Sequence, residues 1–432
     1  MNFFSLKPFH FLWLIVFILF FISCDKEQGC TDETALNYNP DAYSDDGSCL
    51  YVYPVPSTYF FYRQGYSSIS NDNEVSVQCL IYDLLLLISN MGKEGAVYSP
   101  LKTRYTSNSN VLSLLISNEV NNSLQISYDD LASGIILRNR VLSGFDADSI
   151  ITACLDSIDL RAQQIMLLGT PAVYNNDQGY DLFATIRSTL IGSVLFGQMC
   201  RLLEGMPDAN NTELSDVSNY TVAENRWDRT FAYFGAPYNL KTMYSDADII
   251  SQTPYKDTDS IIGIDLKKEY AYTLLQEAAR RDLSNNEIDF TDTLFQSFLI
   301  GRTAIVNKND TLRYSISKKM LHLLEKLIAS CAVHHLNSLK KTMILYNGSL
   351  SEQYDLQYEW SNIKGYLHAL QYPINGIADL DDIEDIITLL GNSPNYSLPN
   401  TSEQTIYFEQ LSLISNWLRE TYNFSSAQMN EW

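Results

Sequence analysis

Between Ile316 and Leu339 the apolar side chains Ile316, Met320, Leu323, Leu327 and Cys331 recur in steps of three and four. At 3.6 residues per turn that spacing lines one face, which predicts a helix packed along one side. Ile186, Leu190, Val194 and Leu195 repeat the pattern, as do Tyr407, Leu411, Ile414 and Leu418. Asp379, Asp381 and Asp382 precede the Ile383–Leu390 run. Carboxylates there complement the positive end of a helix dipole, and a cap is favoured over a metal site. Polar Asn/Ser/Asp stretches near 205–219, 280–290, 307–312 and 392–404 separate the runs and predict loops. From about Ser57 onward the chain therefore predicts an all-α fold, a multi-helix bundle without strict repeats.

The first residues follow a different pattern. Residues 1–23 hold one charged side chain, Lys7, and an unbroken apolar run from Phe11 to Ile22. Spanning a bilayer takes roughly 20 apolar residues, so this shorter run predicts a secretory signal peptide. Phe21-Ile22-Ser23 before Cys24 resembles a bacterial lipobox. That resemblance implies cleavage before Cys24 and lipid on its sulfur, so that the mature chain is anchored to a membrane without crossing it. Asp25-Lys26-Glu27-Gln28 resembles the acidic export tag of Bacteroidota surface lipoproteins, and a plain solvated tether is the alternative. Localisation to the outer membrane follows, at the cell surface or on the periplasmic face.

Composition narrows the partners. With 51 acidic and 29 basic side chains the net charge is −22, which argues against nucleic acid, whose phosphates demand clustered Lys and Arg. An apolar share of 46% with 12% aromatics is enough for a large core and argues against disorder. Cys30 and Cys49 bracket a Gly/Asn/Asp-rich stretch too small for a core, where a cross-link is the natural staple. Cys79, Cys154, Cys200 and Cys331 sit in apolar surroundings and read as small buried hydrophobes. Gly29–Cys49 resembles a small disulfide module of secreted Bacteroidota proteins, here a spacer or adhesion-type element. Within it Asn37, Asn39 and Asp41 alternate as in the first half of a calcium loop, but Ala42 stands where Gly is required. A turn-forming Asx cluster is the competing reading. The domain plan is thus residues 1–23 as signal, 24–53 as tether and disulfide module, and 54–432 as a helical domain of one or two bundles.

Six blocks, in order, carry a family resemblance: Pro56–Gly65, Gly179–Leu182, Arg226–Pro237, Gly301–Ile305, Ala332–Asn337 and Trp360–Tyr366. Together they resemble a domain-of-unknown-function family of Bacteroidota lipoproteins, distantly similar to the imelysins. The resemblance implies an imelysin-like helical bundle at the outer membrane and a link to iron acquisition. Imelysins carry a His/Glu pairing that a divalent metal could use. Here the corresponding neighbourhood reads Glu224-Asn225-Arg226-Trp227-Asp228-Arg229, with no His, and Asn362 stands where Glu is usual. A metal site of that kind is lost or altered. His334, Asp228, Glu224 and Arg302, with Glu359 near by, remain the candidate polar pocket, although for Arg302 a buried structural ion pair is the favoured reading. His334 and His335 are adjacent, about 100° apart on a helix, and cannot share a metal as i, i+4 ligands do.

No HExxH, GxSxG, Walker or GxGxxG motif is present. The expected function is a non-catalytic, membrane-anchored binding or accessory protein in iron or nutrient uptake, with a metal, haem or peptide ligand. The alternatives are an imelysin-type metal-dependent hydrolase and a helical glycan-capture lipoprotein partnering an outer-membrane transporter. The sequence names no cofactor.

Overall fold

A computed structural model describes residues 28–31, 38–46, 48, 52–91, 101–107, 124–126, 128–168, 174–176, 179–214, 218–259 and 261–432. The chain divides into two units, Met1–Pro54 and Val55–Trp432. In the first, β1 (Gln28–Gly29) pairs in parallel with β2 (Ser44–Asp45). Next to β1, Cys30 is buried. Asn39 Oδ1 accepts the Asp41 N–H at 3.0 Å, and Asp46 Oδ1 accepts that of Ser48 at 2.9 Å. Asn39 therefore closes an Asx turn, and its side-chain oxygen is committed to the backbone. Asn37, Cys24, Cys49 and the signal segment 1–23 lie outside the described residues.

The second unit opens with a short hairpin, β3 (Tyr62–Arg63) against β4 (Tyr66–Ser67). Its turn residues Gln64 and Gly65 both take positive φ, 51° and 82°, the mirror-image turn that matches strand twist. The approach to the hairpin alternates: Tyr59 and Phe61 are buried while Tyr62 is exposed.

Helices make up the rest, in agreement with the all-α expectation. They run α1 (Asp72–Asn90), α2 (Leu101–Thr106), α3 (Tyr128–Ala132), α4 (Ala147–Leu168), α5 (Leu182–Leu190), α6 (Gly197–Glu204) and α7 (Val222–Phe234). Two one-turn helices follow, α8 (Leu240–Met243) and α9 (Asp246–Ile249). Then come α10 (Thr273–Ser284), α11 (Phe290–Val306), α12 (Asp310–Leu345), α13 (Leu350–Ala369), α14 (Leu380–Leu390), α15 (Ser402–Tyr422) and α16 (Ser426–Glu431).

The 36-residue α12 forms the axis of the core, with α6, α10, α11, α13 and α15 packed against it. Its stripe follows the sequence pattern at Met320, Leu327 and Cys331, but Leu324 is buried in place of the predicted Leu323. Between α5 and α6 the helix widens to a π turn over Ile191–Phe196. Leu142 N–H donates to the Ser193 carbonyl there, at 3.3 Å. The whole stretch Leu182–Glu204 is long and apolar enough to cross a membrane, yet 72% of its most apolar window is buried inside the unit, which makes it a core helix.

Three predicted loops shrink. Asn309 caps α12 by accepting the Leu312 N–H, and Thr401 caps α15 by accepting that of Gln404. Polar residues such as these favour helix starts because their short side chains satisfy the first free N–H groups, so a polar run marks the beginning of a helix as readily as a loop. The stretch 280–284 is also helical; Arg281 is buried, and Arg280 reaches the buried Glu277 from the surface.

α5 and α13 cross at close range because Gly365 lacks a side chain: a Cβ there would collide with the Ser188 hydroxyl. With α4 on the other side of α5, this crossing sets the walls of a cavity described below.

Candidate functional site

α7 starts with a capping box. Thr221 Oγ1 accepts the Glu224 N–H at 3.2 Å and Glu224 Oε2 accepts the Thr221 N–H at 2.7 Å. That fixes Glu224 in the first turn and Asp228 one turn later on the same face. Arg302 of α11 then bridges the two, Nη1 to Glu224 Oε1 at 2.8 Å and Nε to Asp228 Oδ1 at 2.9 Å. Tyr59 Oη donates to Asp228 Oδ1 at 2.7 Å, Arg63 Nη2 to Glu224 Oε1 at 2.8 Å, and Arg302 Nη2 to Ser68 Oγ at 3.0 Å. Arg302 also lies over the Phe61 ring, 4.9 Å from its centroid. Arg302 and Asp228 are 0% exposed and Glu224 is 1% exposed.

The electrostatics are those of a sealed cluster. Burial pushes the Asp228 carboxyl up to about 6, against the pull of Arg302 and Tyr59. Burial acts on Glu224 too, but Arg302, the Thr221 N–H and Arg63 outweigh it and hold that carboxyl below its ordinary value. Charges this deep are tolerated because they are paired and hydrogen-bonded. The cluster ties the hairpin segment to α7 and α11. Arg229, beside Asp228, turns the other way and donates through Nε to Glu74 of α1 at 2.8 Å.

His334 is placed elsewhere. Its Nδ1 lies 3.2 Å from the Trp432 carbonyl, while the neighbouring His335 Nδ1 sits 2.6 Å from Glu359 Oε2. The sequence grouping therefore splits: Asp228, Glu224 and Arg302 come together, whereas His334 and Glu359 belong to a second cluster. Adjacent residues on α12 point in different directions, so a single His-His pair cannot serve one centre.

The second cluster contains residues that the sequence reading missed. Glu277 of α10 accepts from Arg187 Nη2 of α5, and from Arg280 Nη1 at 2.6 Å. Arg187 Nη1 donates to Tyr366 Oη of α13 at 3.1 Å. Arg281 is 3% exposed, and its Nε and Nη1 have no hydrogen-bond partner. The available signal was Glu277-Ala278-Ala279-Arg280-Arg281, where an acid lies three and four residues from two bases on one helix.

Burial lowers His334 to about 4, with Arg281 and His335 adding to the effect, and lowers His335 to about 3. It raises Glu359 to about 7, against the pull of His334. Below pH 7 the native state thus holds a proton on Glu359 that the unfolded chain, near 4.5, does not take up. The contribution of this group to stability therefore grows as pH falls from about 7 to 4.5, whereas the histidines lose stability below their unfolded 6.5. Glu359→Gln removes the growing contribution. The variant is expected to fall behind wild type by roughly 2–3 kcal/mol across that window. Urea unfolding at stepped pH checks this, and parallel curves for the two proteins would refute it.

Asp257, Asp259 and Glu269 place carboxylate oxygens within 4.8 Å of one another. Glu269, however, already accepts from Thr258 N at 2.7 Å, Thr258 Oγ1 at 2.8 Å, Asp259 N at 3.1 Å and Asp265 N at 2.8 Å. It organises the loop through those bonds.

A cavity of about 280 Å³ opens between α4, α5 and α13. Ile150, Ala153 and Cys154 of α4 and Leu182 and Thr185 of α5 form one side; Trp360, Ser361, Lys364, Gly365 and His368 of α13 form the other. Tyr180 stacks on Trp360 with centroids 5.6 Å apart and planes 18° apart. Lys364 Nζ lies 4.8 Å from the Trp360 centroid and 5.9 Å from that of Tyr180. Burial pushes the Cys154 thiol up to about 12, which disfavours the reactive thiolate. This geometry suits binding.

No curated protein and no solved structure matches the chain. The family described as Domain of unknown function (DUF4856) matches residues 56–379, well over half of the chain and including both buried clusters and the cavity. The protein belongs to that family.

Proposed function

We propose that the protein is an exported lipoprotein, held at a membrane by lipid on Cys24, whose helical domain binds a small ligand without transforming it. The Cys30–Cys49 cross-link forms a spacer between anchor and domain in this proposal. The observation that carries the binding reading is the aromatic-walled cavity between α4, α5 and α13. At about 280 Å³ it approaches the size range of small-molecule sites, about 300–1,000 Å³. Against the metal-dependent hydrolase of imelysin type stands the use already made of Asp228 and Glu224, both engaged with Arg302 and shielded from solvent. Exposed Tyr62 and Tyr66 on the hairpin favour glycan capture as the second reading.

Two measurements test the proposal. Wild-type protein extracted from membranes is expected to carry an acyl mass on its Cys24 peptide, and Cys24→Ala protein is expected in the soluble fraction. An unmodified Cys24 peptide would overturn the anchor. Thermal unfolding with a panel of small amphiphiles and soluble glycans is expected to show stabilisation by amphiphiles, because a ligand that binds only the native state raises its stability. Stabilisation by glycans alone would favour the second reading, and none by either class would overturn binding.

A further inference from the structure

Lys364 is the basic side chain that lines the cavity. Its Nζ rests against Trp360 and Tyr180, and no carboxylate among the described residues pairs with it. Burial alone pulls its ammonium below the ordinary value. His368, one turn along α13 on the same wall, is likewise lowered by burial, with Lys364 adding to the effect. Among the described residues no Asp or Glu lines the cavity. The wall therefore combines flat aromatic and aliphatic surface with two groups able to donate to, or neutralise, a negative charge.

Size sets a second limit. A sealed cavity of about 150 Å³ takes one benzene ring, and this one is roughly twice that volume at about 280 Å³. Such room fits one ring and a short polar tail. A cationic ligand would have to displace Lys364 from the aromatic face and then sit beside it.

We propose that the cavity binds a compact aromatic carboxylate, its ring against the Tyr180–Trp360 wall and its anionic group on Lys364 Nζ and His368. This inference rests on the binding reading above and adds the chemistry of the ligand. A charge-assisted hydrogen bond from a half-buried ammonium is stronger than a neutral one and favours the anion over an uncharged isostere.

The test is calorimetric titration of the full-length protein with 3-phenylpropionate, its neutral amide and 3-phenylpropylamine. The acid is expected to bind about tenfold or more tightly than the amide, and the amine more weakly still. Lys364→Gln is expected to erase the advantage of the acid, bringing its affinity down to that of the amide, with a thermal midpoint close to wild type separating loss of charge from misfolding. His368→Gln is expected to lower the acid's affinity by a smaller factor. Amide or amine binding at parity with the acid would overturn the carboxylate assignment and leave the binding reading standing. An acid advantage that survives Lys364→Gln would also overturn it. Failure of all three probes to bind would overturn the aromatic carboxylate assignment, while the amphiphile and glycan panel decides the binding reading by itself.

Discussion

Replacing Arg302 with Leu is expected to destabilise the protein by about 3–5 kcal/mol, the cost of leaving buried charge uncompensated. The side chain is 0% exposed and neutralises two carboxylates that are also buried. Asp228 Oδ2 already lacks a hydrogen-bond partner, so little reserve is left to absorb the loss. Glu224 would keep Arg63 and its capping bond to Thr221, while Asp228 would keep only the Tyr59 hydroxyl. Asp228 is thus the residue stranded by the change. Urea denaturation checks the size of the effect: the midpoint should fall with an unchanged slope. Adding Asp228→Asn and Glu224→Gln to Arg302→Leu should recover part of the loss, because the uncharged partners no longer need a cation. Arg302→Lys should fall between, since an ammonium cannot reproduce the fork that reaches Glu224 and Asp228 together. A loss below about 1 kcal/mol for Arg302→Leu would show that the cluster is solvated and not structural.

Helices were legible in the sequence where one face is apolar and the other polar. The stripe Met320, Leu327, Cys331 and the stripe Leu411, Ile414, Leu418 are both buried along one side of their helices. The offset from Leu323 to Leu324 arises because α12 is covered by several helices on different faces, so its buried surface is wider than one stripe. The pairing of Arg302 with carboxylates was legible as an alternative, because an Arg inside an apolar block has few other fates. Asp228 and Glu224 were grouped with it for their chemistry, but the bonds that join them were not legible, since both lie more than seventy positions away on another helix. His334 was grouped with them for its chemistry alone, and direction on α12 separates it. The cavity left the weakest trace. Trp360, Ser361, Lys364 and Gly365 stood out as a block, but a gap between helices is made by what three segments fail to fill, and no local pattern records that. The absence of a side chain at Gly365, where Ser188 comes close, acquires meaning only once α5 is known to cross there.

Glu277→Leu is expected to cost about as much as the loss of Arg302, again roughly 3–5 kcal/mol. Glu277 is 4% exposed and takes hydrogen bonds from Arg187 and Arg280, and the buried guanidinium of Arg281 is close enough to lower its pKa. Without it, Arg187 and Arg280 would lose the carboxylate that both of them bond, and Arg281 the negative charge beside it. Burial pushes the Glu277 carboxyl upward, but Arg187, Arg280, Arg281 and His335 together hold it far below its ordinary 4.5. Its contribution is therefore complete above pH 4.5 and is lost as the medium is acidified through and below that value. Wild type and Glu277→Leu should differ most at neutral pH and converge toward pH 2, which urea titrations at the two extremes would reveal. A gap of constant size would mean that Glu277 acts through packing and not through charge. The effect should also reach the cavity. Arg187 of α5 holds Glu277 with one nitrogen and the Tyr366 hydroxyl of α13 with the other, and those two helices form opposite walls of the cavity. Releasing Arg187 loosens the crossing that keeps Trp360 and Lys364 in register with α5. Ligand affinity in Glu277→Leu should accordingly fall for the acid and the amide by similar factors, in contrast to Lys364→Gln, where the acid loses more than the amide.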